Sequence, residues 1–212
     1  MTTLKSLCMA GWLAFCASAT WADTAATPQA PHGVLPPGPV PGGSVYNLKM
    51  SLETSRGESV TLDSFRGQPL LITMFYAQCT SICPLTTVTM QRIDLALTPE
   101  ERARLRVLMV SLDPEHDTPT ALRTFAGQHH VEDPRWTIAR AKPGDVRLLA
   151  AALGIRYRPL PDGTFNHSAV ISILDNEGTV LASSASVTAQ DSNFQQVVER
   201  AVAAHATPKI DK

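Results

Sequence analysis

Net charge is nearly absent from this sequence. Lys and Arg number 18 and Asp and Glu 19, leaving a formal net charge of −1, and no run of like charges makes a local field. That excludes a chain built to bind nucleic acid or an acidic lipid surface through its overall charge. Internal repeats are also missing, which sets repeat arrays aside. Cysteine is scarce: four residues, two of them, Cys8 and Cys16, near the N-terminus. The peroxiredoxin pattern Pro-x-x-x-Thr-x-x-Cys is not found, which argues against a thiol peroxidase. With 212 residues, 44% hydrophobic and 17% charged, the chain fits one globular domain able to bury its own core.

The first 22 residues carry one charge after Met1, Lys5, followed by the uncharged "SLCMAGWLAFCASATWA" up to Asp23. Residues 1–22 read as an export signal with small residues suited to cleavage, or, if retained, as an N-terminal membrane anchor. Residues 23–43, "DTAATPQAPHGVLPPGPVPGG", read as a Pro/Gly-rich tether in which His32 is solvated. Removing the signal leaves only Cys79 and Cys83. A disulfide between residues so close closes a loop too short to add much stability, so a purely structural bridge is the weaker reading.

From residue 44 to 212 strands and helices alternate. "VYNLKMSL" alternates like a strand, "SVTLDSFRGQ" is turn-rich, and "PLLITMFY" is a continuous apolar run suited to a buried central strand. "LTTVTMQRIDLAL" places Leu85, Val88, Ile93, Leu95 and Leu97 largely on one side of a helix, and "TPEERARL" starts another with Thr98 as cap. A strand in "LRVLMVSL", a helix in "TPTALRTFAGQHH", a strand in "RWTIARA" and a helix in "PGDVRLLAAALG" follow. "HSAVISILD", the turn "DNEG", "TVLASS" and a helix in "DSNFQQVVERAVAAH" close the chain. The hairpin at "DNEG" makes the sheet mixed, and the order of elements predicts an α/β, thioredoxin-like fold with a mixed central sheet and flanking helices.

The chemistry concentrates in "MFYAQCTSICPLTTVTM", residues 74–90. Proline disfavours helix in the residue before it and suits a first turn, so Cys83 is placed at the cap and Pro84 at the helix start. A thiol there feels the positive end of the helix dipole, which favours the thiolate that both attacks disulfides and binds metals. Cys79 and Cys83 are thus either a redox pair or metal ligands. A third donor is sought where the antiparallel neighbour of "LLITMFY" begins, and His167 stands there. Two thiolates and an imidazole suit copper as Cu(I) or Cu(II); zinc would want a fourth ligand, and none is evident.

Three ordered signatures resemble the Sco/SenC family of copper-handling, thioredoxin-fold proteins: "CTSICP" for its C-x3-C-P, "SLDPEHDTP" for its Asp-Pro-x-x-Asp-Thr-Pro segment, and "FNHSAVISILDNEG" for its His-Ser/Thr strand and turn. The likeness runs from about Val45 to the last helix. It implies copper bound by Cys79, Cys83 and His167. It also implies a metallochaperone that delivers copper to, or reduces thiols of, the copper-site subunit of cytochrome c oxidase or another cuproprotein. The rival reading is an extracytoplasmic thiol-disulfide oxidoreductase using the pair Cys79 and Cys83. The protein is expected to be a monomer, periplasmic, secreted or tethered to the outer face of the inner membrane. Where the family often has Pro after the first cysteine, Asp before the histidine and Arg within the Asp-Pro-x-x-Asp-Thr-Pro segment, this chain has Thr80, Asn166 and His116. Thr80 should loosen the loop, and Asn166 removes a negative charge beside the ligand.

Other residues have plainer readings. Asp117 or Thr118 is expected to cap a helix rather than to act with Asp113 in acid-base catalysis. His116, His129, His130 and His205 are read as solvated rather than as an accessory metal site, and Phe125 and Trp136 as packing residues.

Overall fold

A computed structural model describes residues 43–187 and 190–205, and the backbone of Val34–Leu35. The signal or anchor reading of residues 1–22, most of the tether with His32, and residues 206–212 lie outside the described residues. No helix among the described residues is long and apolar enough to cross a membrane.

Six hydrogen-bonded residues set the centre of the molecule. Leu70–Phe75 forms β4, buried at every position. Its odd and even side chains serve two separate cores, because successive residues of a strand point to opposite faces. On one face Leu71 and Phe75 meet Met90 and Ile93 of α1 (Ile82–Leu95), Leu122 and Phe125 of α3 (Pro119–Gln128), and Phe194 and Val198 of α5 (Ser192–Ala204). On the other, Leu70, Ile72 and Met74 meet Val146 and Leu149 of α4 (Pro143–Ala152) and Tyr46, Leu62 and Phe65 of two 3-10 turns.

Around β4, β5 (Arg106–Ser111) and β6 (Trp136–Ala141) run parallel to it, joined by right-sized helical crossovers. β9 (Ile171–Leu174) pairs antiparallel on its other side. With β1 (Val34–Leu35), β2 (Ser51–Thr54), β3 (Ser59–Thr61) and β10 (Val180–Ser184), the sheet order is β1-β10-β9-β4-β5-β6-β2-β3. This is the mixed, helix-flanked sheet that the sequence predicts. β7 (Tyr157–Pro159) and β8 (Phe165–His167) form a separate antiparallel ribbon ahead of β9. The turn joining β9 to β10 needs Gly178: its φ is +83°, and a Cβ there would lie 2.5 Å from the Tyr46 ring.

Two expectations need correction, and the helix start at Thr98 is met by a shorter helix. "VYNL" is a 3-10 turn, not the start of a strand: Ser44 accepts a hydrogen bond from the Tyr46 N–H, Lys49 ends the turn at φ 51°, and β2 begins only at Ser51. "TPEERARL" yields a single helical turn, α2 (Pro99–Arg102), closed by a capping box between Thr98 and Glu101. The buried face of α1 is Cys83, Thr86, Thr87, Met90, Ile93 and Asp94, whereas Leu85, Val88 and Leu95 face solvent. The threonines can be buried because Thr86 and Thr87 donate their hydroxyls to the carbonyls of Ile82 and Cys83 one turn earlier. Asp94 can be buried because it accepts from Arg135 at 2.7 and 3.1 Å.

Candidate metal centre

β4 ends at Phe75, and the chain turns through Tyr76 to Ser81 before α1 begins. The turn is fixed at its base by Asp117, whose buried carboxylate accepts from the Ala77 N–H at 3.0 Å and from the Ser111 hydroxyl. Asp117 therefore ties the cysteine loop to the end of β5. Capping of α3 falls to Thr118, which accepts from the Ala121 N–H. Desolvation holds the Asp117 carboxyl above its ordinary range, although the Ser111 and Ala77 hydrogen bonds pull it down.

The helix starts two residues earlier than the proline rule suggests. Ser81 is the N-cap, and Ile82, Cys83 and Pro84 all lie in the first turn of α1. The proline is tolerated there because first-turn N–H groups lack helical partners anyway. One such group, the Cys83 N–H, donates to Cys79 Sγ at 3.3 Å. Both thiols are free and buried, Cys79 at 5% and Cys83 at 1% exposure.

His167 comes from the end of β8, three residues before Val170 leads into β9. It thus sits in the ribbon rather than on the central strand, and the ribbon folds its ring over the loop. Nε2 lies 3.5 Å from Cys83 Sγ. Nδ1 lies 3.3 Å from the Ser168 carbonyl, a group that can only accept, so the proton belongs on Nδ1 and the Nε2 lone pair faces the sulfurs. Tyr76 meets this ring edge-on with centroids 5.8 Å apart and packs on Phe165 at 5.3 Å, which walls the site on the ribbon side.

The donor atoms of Cys79, Cys83 and His167 all lie within 4.8 Å of one another. Bonds of about 2.3 Å to sulfur and 2.0 Å to nitrogen put the donors of a trigonal site roughly 3.5–4 Å apart, so a small inward movement completes it. The protonation states already differ. The hydrogen bond from Cys83, aided by backbone N–H groups, pulls Cys79 down to about 3. The same hydrogen bond and burial push Cys83 above the usual thiol range. The site thus offers one thiolate, one thiol and one imidazole, soft donors that fit copper, and among the described residues no fourth His, Cys, Asp or Glu joins the group.

The remaining candidates fall elsewhere. His116 bonds Asp113 at 2.8 Å, which raises its pKa. His129 stacks on Phe125 at 4.3 Å, and His205 is the C-cap of α5. They form no accessory metal group among the described residues. Phe125 and Trp136 are core residues, as expected. Sequence reasoning missed the anchoring role of Asp117. Its signal was a carboxylate in a segment with Ser111 one strand-end away, which spacing alone could not separate from a cap.

The SCO1/SenC family model matches residues 42–203. The chain belongs to the SCO1/SenC family. Among curated relatives, the SCO1 protein homolog of Bacillus subtilis is 29% identical over 86 residues, 41% of this chain and 44% of that protein. The chain spans less than two thirds of the length of the curated relatives first matched. Among solved structures, Bradyrhizobium japonicum ScoI with copper bound superposes with a TM-score of 0.62 at 21% identity, covering 72% of this chain and 97% of that one. BsSco, described as having a disulfide switch and as a member of a family of cytochrome c oxidase assembly proteins, gives 0.62 at 21% identity, covering 73% and 92%. These likenesses establish the Sco fold, within which Cys79, Cys83 and His167 of this chain come together.

Proposed function

We propose that this Sco/SenC chain is a copper metallochaperone that binds one copper ion through Cys79, Cys83 and His167 and passes it to the copper site of cytochrome c oxidase or of another cuproprotein. The observation that carries this reading is the convergence of two sulfurs and an imidazole nitrogen within 4.8 Å. Copper is the cargo here. When bound it draws the three donors inward, and Cys83 must give up its proton to ligate. Residues 1–22 and 23–43 serve in this reading as an export signal or anchor and a tether, so the domain works outside the cytoplasm, as a monomer.

X-ray absorption on the copper-loaded protein tests the reading, with sulfur and nitrogen expected in the first shell. A shell of oxygen and nitrogen alone would overturn it. Fractionation with mass measurement of the N-terminus tests export and cleavage.

A second reading has its own observation, the single low-pKa thiol in the loop just before α1, beside Cys83 in the helix's first turn. In it the Cys79 thiolate attacks a partner disulfide, and Cys83 loses its proton and resolves the mixed disulfide. The partner gains two electrons, one proton from Cys83 and one from solvent as Cys79 and Cys83 become a disulfide. His167 has no evident task in that chemistry.

A further inference from the structure

The loop and helix that carry the cysteines have no charge of their own. From Gly67 to Gln91 there is no Asp, Glu, Lys or Arg. Just past Cys83, Leu85 and Val88 lie one helical turn apart on α1 and are 44% and 39% exposed. They give the rim of the metal centre an uncharged, apolar side.

The ribbon beside it is basic on its outer face, the one turned away from Tyr157 and His167. The ribbon that supplies His167 carries Arg158 on β7, opposite Asn166, with Arg156 just before it. Both arginines are exposed, as is Arg147 on α4. Arg147 and Arg156 line an open cleft of about 600 Å³ that reaches Phe165, the residue packed on Tyr76 beside the cysteines. Among the described residues none of these three guanidiniums has an ion-pair or hydrogen-bond partner, whereas Arg135 and Arg140 are held by Asp94 and Glu53. Asp162, the one carboxylate between residues 147 and 168, is occupied by Thr164. Across the site, the segment after β5 presents Glu115 and the Asp113–His116 pair. The surroundings of the centre therefore differ in charge, with unpaired arginines on the ribbon and α4 and with Glu115 and the Asp113–His116 pair after β5, in a chain of nearly zero net charge.

Exposed guanidiniums without partners act over about a Debye length (roughly 10 Å), and so on an approaching partner more than on the fold. An apolar patch with charged flanks has the make-up of a transient docking surface, its centre supplying contact and its rim supplying orientation. We propose that this face is where the copper-exchanging protein docks, and that the partner presents carboxylates to Arg156 and Arg158 beside its own metal ligands. The proposal rests on the copper-transfer reading above. In the docked complex the ion moves with its charge unchanged: each bond to Cys79, Cys83 or His167 is replaced by a bond to an acceptor ligand, and Cys83 regains its proton.

Stopped-flow transfer of Cu(I) from the loaded protein to the copper-free soluble copper-site domain of cytochrome c oxidase tests this, at about 20 mM and 500 mM salt. The double variant R156E/R158E should transfer at least about tenfold more slowly at low salt and about as fast as the unsubstituted protein at high salt. Its copper affinity, and its rate of release to a small chelator, should stay within about twofold. Arg200→Glu, at the opposite end of the sheet, should change nothing. A rate that ignores both salt and charge reversal overturns the proposal. So does a double variant that transfers normally but no longer binds vesicles containing phosphatidylglycerol, because the arginines would then serve a membrane. If the unsubstituted protein takes up no copper at all, the copper-transfer reading itself fails, and the docking proposal falls with it.

Discussion

Cys79 and Cys83 are the same chemical group four residues apart, yet the fold gives them opposite protonation. Cys79 is held down to about 3 chiefly by the Cys83 hydrogen bond, and Cys83 is pushed up by the same bond and by burial. Between pH 5 and 8 the reduced protein should therefore show one thiolate, seen as absorbance near 240 nm that stays flat across that range. Replacing Cys83 with Ala removes the main cause, so the Cys79 step should move up toward the ordinary thiol value of about 8.5. Copper loading at neutral pH should release about one proton per ion, the one Cys83 holds, measurable with an indicator dye in weak buffer. For His167→Ala, copper affinity should fall by several orders of magnitude in a chelator competition, while exchange with a model disulfide stays within about tenfold, because both thiols and Pro84 remain. These three residues could be named from sequence because spacing, a proline and the start of a strand each carry a physical rule. The direction of each thiol's shift could not, since it depends on which thiol donates to the other and on how deeply each is buried.

Helix α1 shows how an element can be located from sequence and still be turned the wrong way. Its apolar spacing points to Leu85, Val88 and Leu95, but the hydroxyls of Thr86 and Thr87 bond within the helix and let that side go inward beside Met90. Met90→Ala should then cost about 2–5 kcal/mol in urea unfolding. Leu95→Lys should stay within about 0.5 kcal/mol. The ribbon of β7 and β8 was equally hard to foresee, since strands of three residues leave almost no periodic pattern. By contrast the six-residue buried runs of β4 and β5 read directly as central strands. Where loop meets strand, Asp117→Ala strands the Ala77 N–H and should lower stability by about 1–3 kcal/mol. Asp117 also has a raised pKa, so the folded state binds its proton more readily than the unfolded chain. This group's contribution makes stability fall as pH rises from its unfolded to its folded pKa. Asp117→Asn should remove that slope, which a comparison of unfolding curves with the unsubstituted protein from pH 4 to 7 would show.

At the scale of the molecule, the ligands belong to parts of the chain that the sheet brings together from far apart: Cys83 and His167 are 84 positions from each other in sequence. They also lie on different supports, a helix start anchored to β5 and a small ribbon outside the main sheet. An ion held by both is a cross-link across that distance, and one that can be withdrawn. By mass action, free copper at a hundred times its dissociation constant should raise stability by about 2.7 kcal/mol. Calorimetry with and without copper would register this as a higher melting temperature. Amide exchange should slow most in the β7–β8 ribbon, a short two-stranded pairing outside the main sheet that carries one of the three ligands. A chain that has delivered its cargo is then also the one whose ribbon opens most readily to a protease. On the copper-transfer reading, the lifetime of the protein would thereby be coupled to its load, which limited proteolysis with and without copper would show as faster cleavage of the copper-free form.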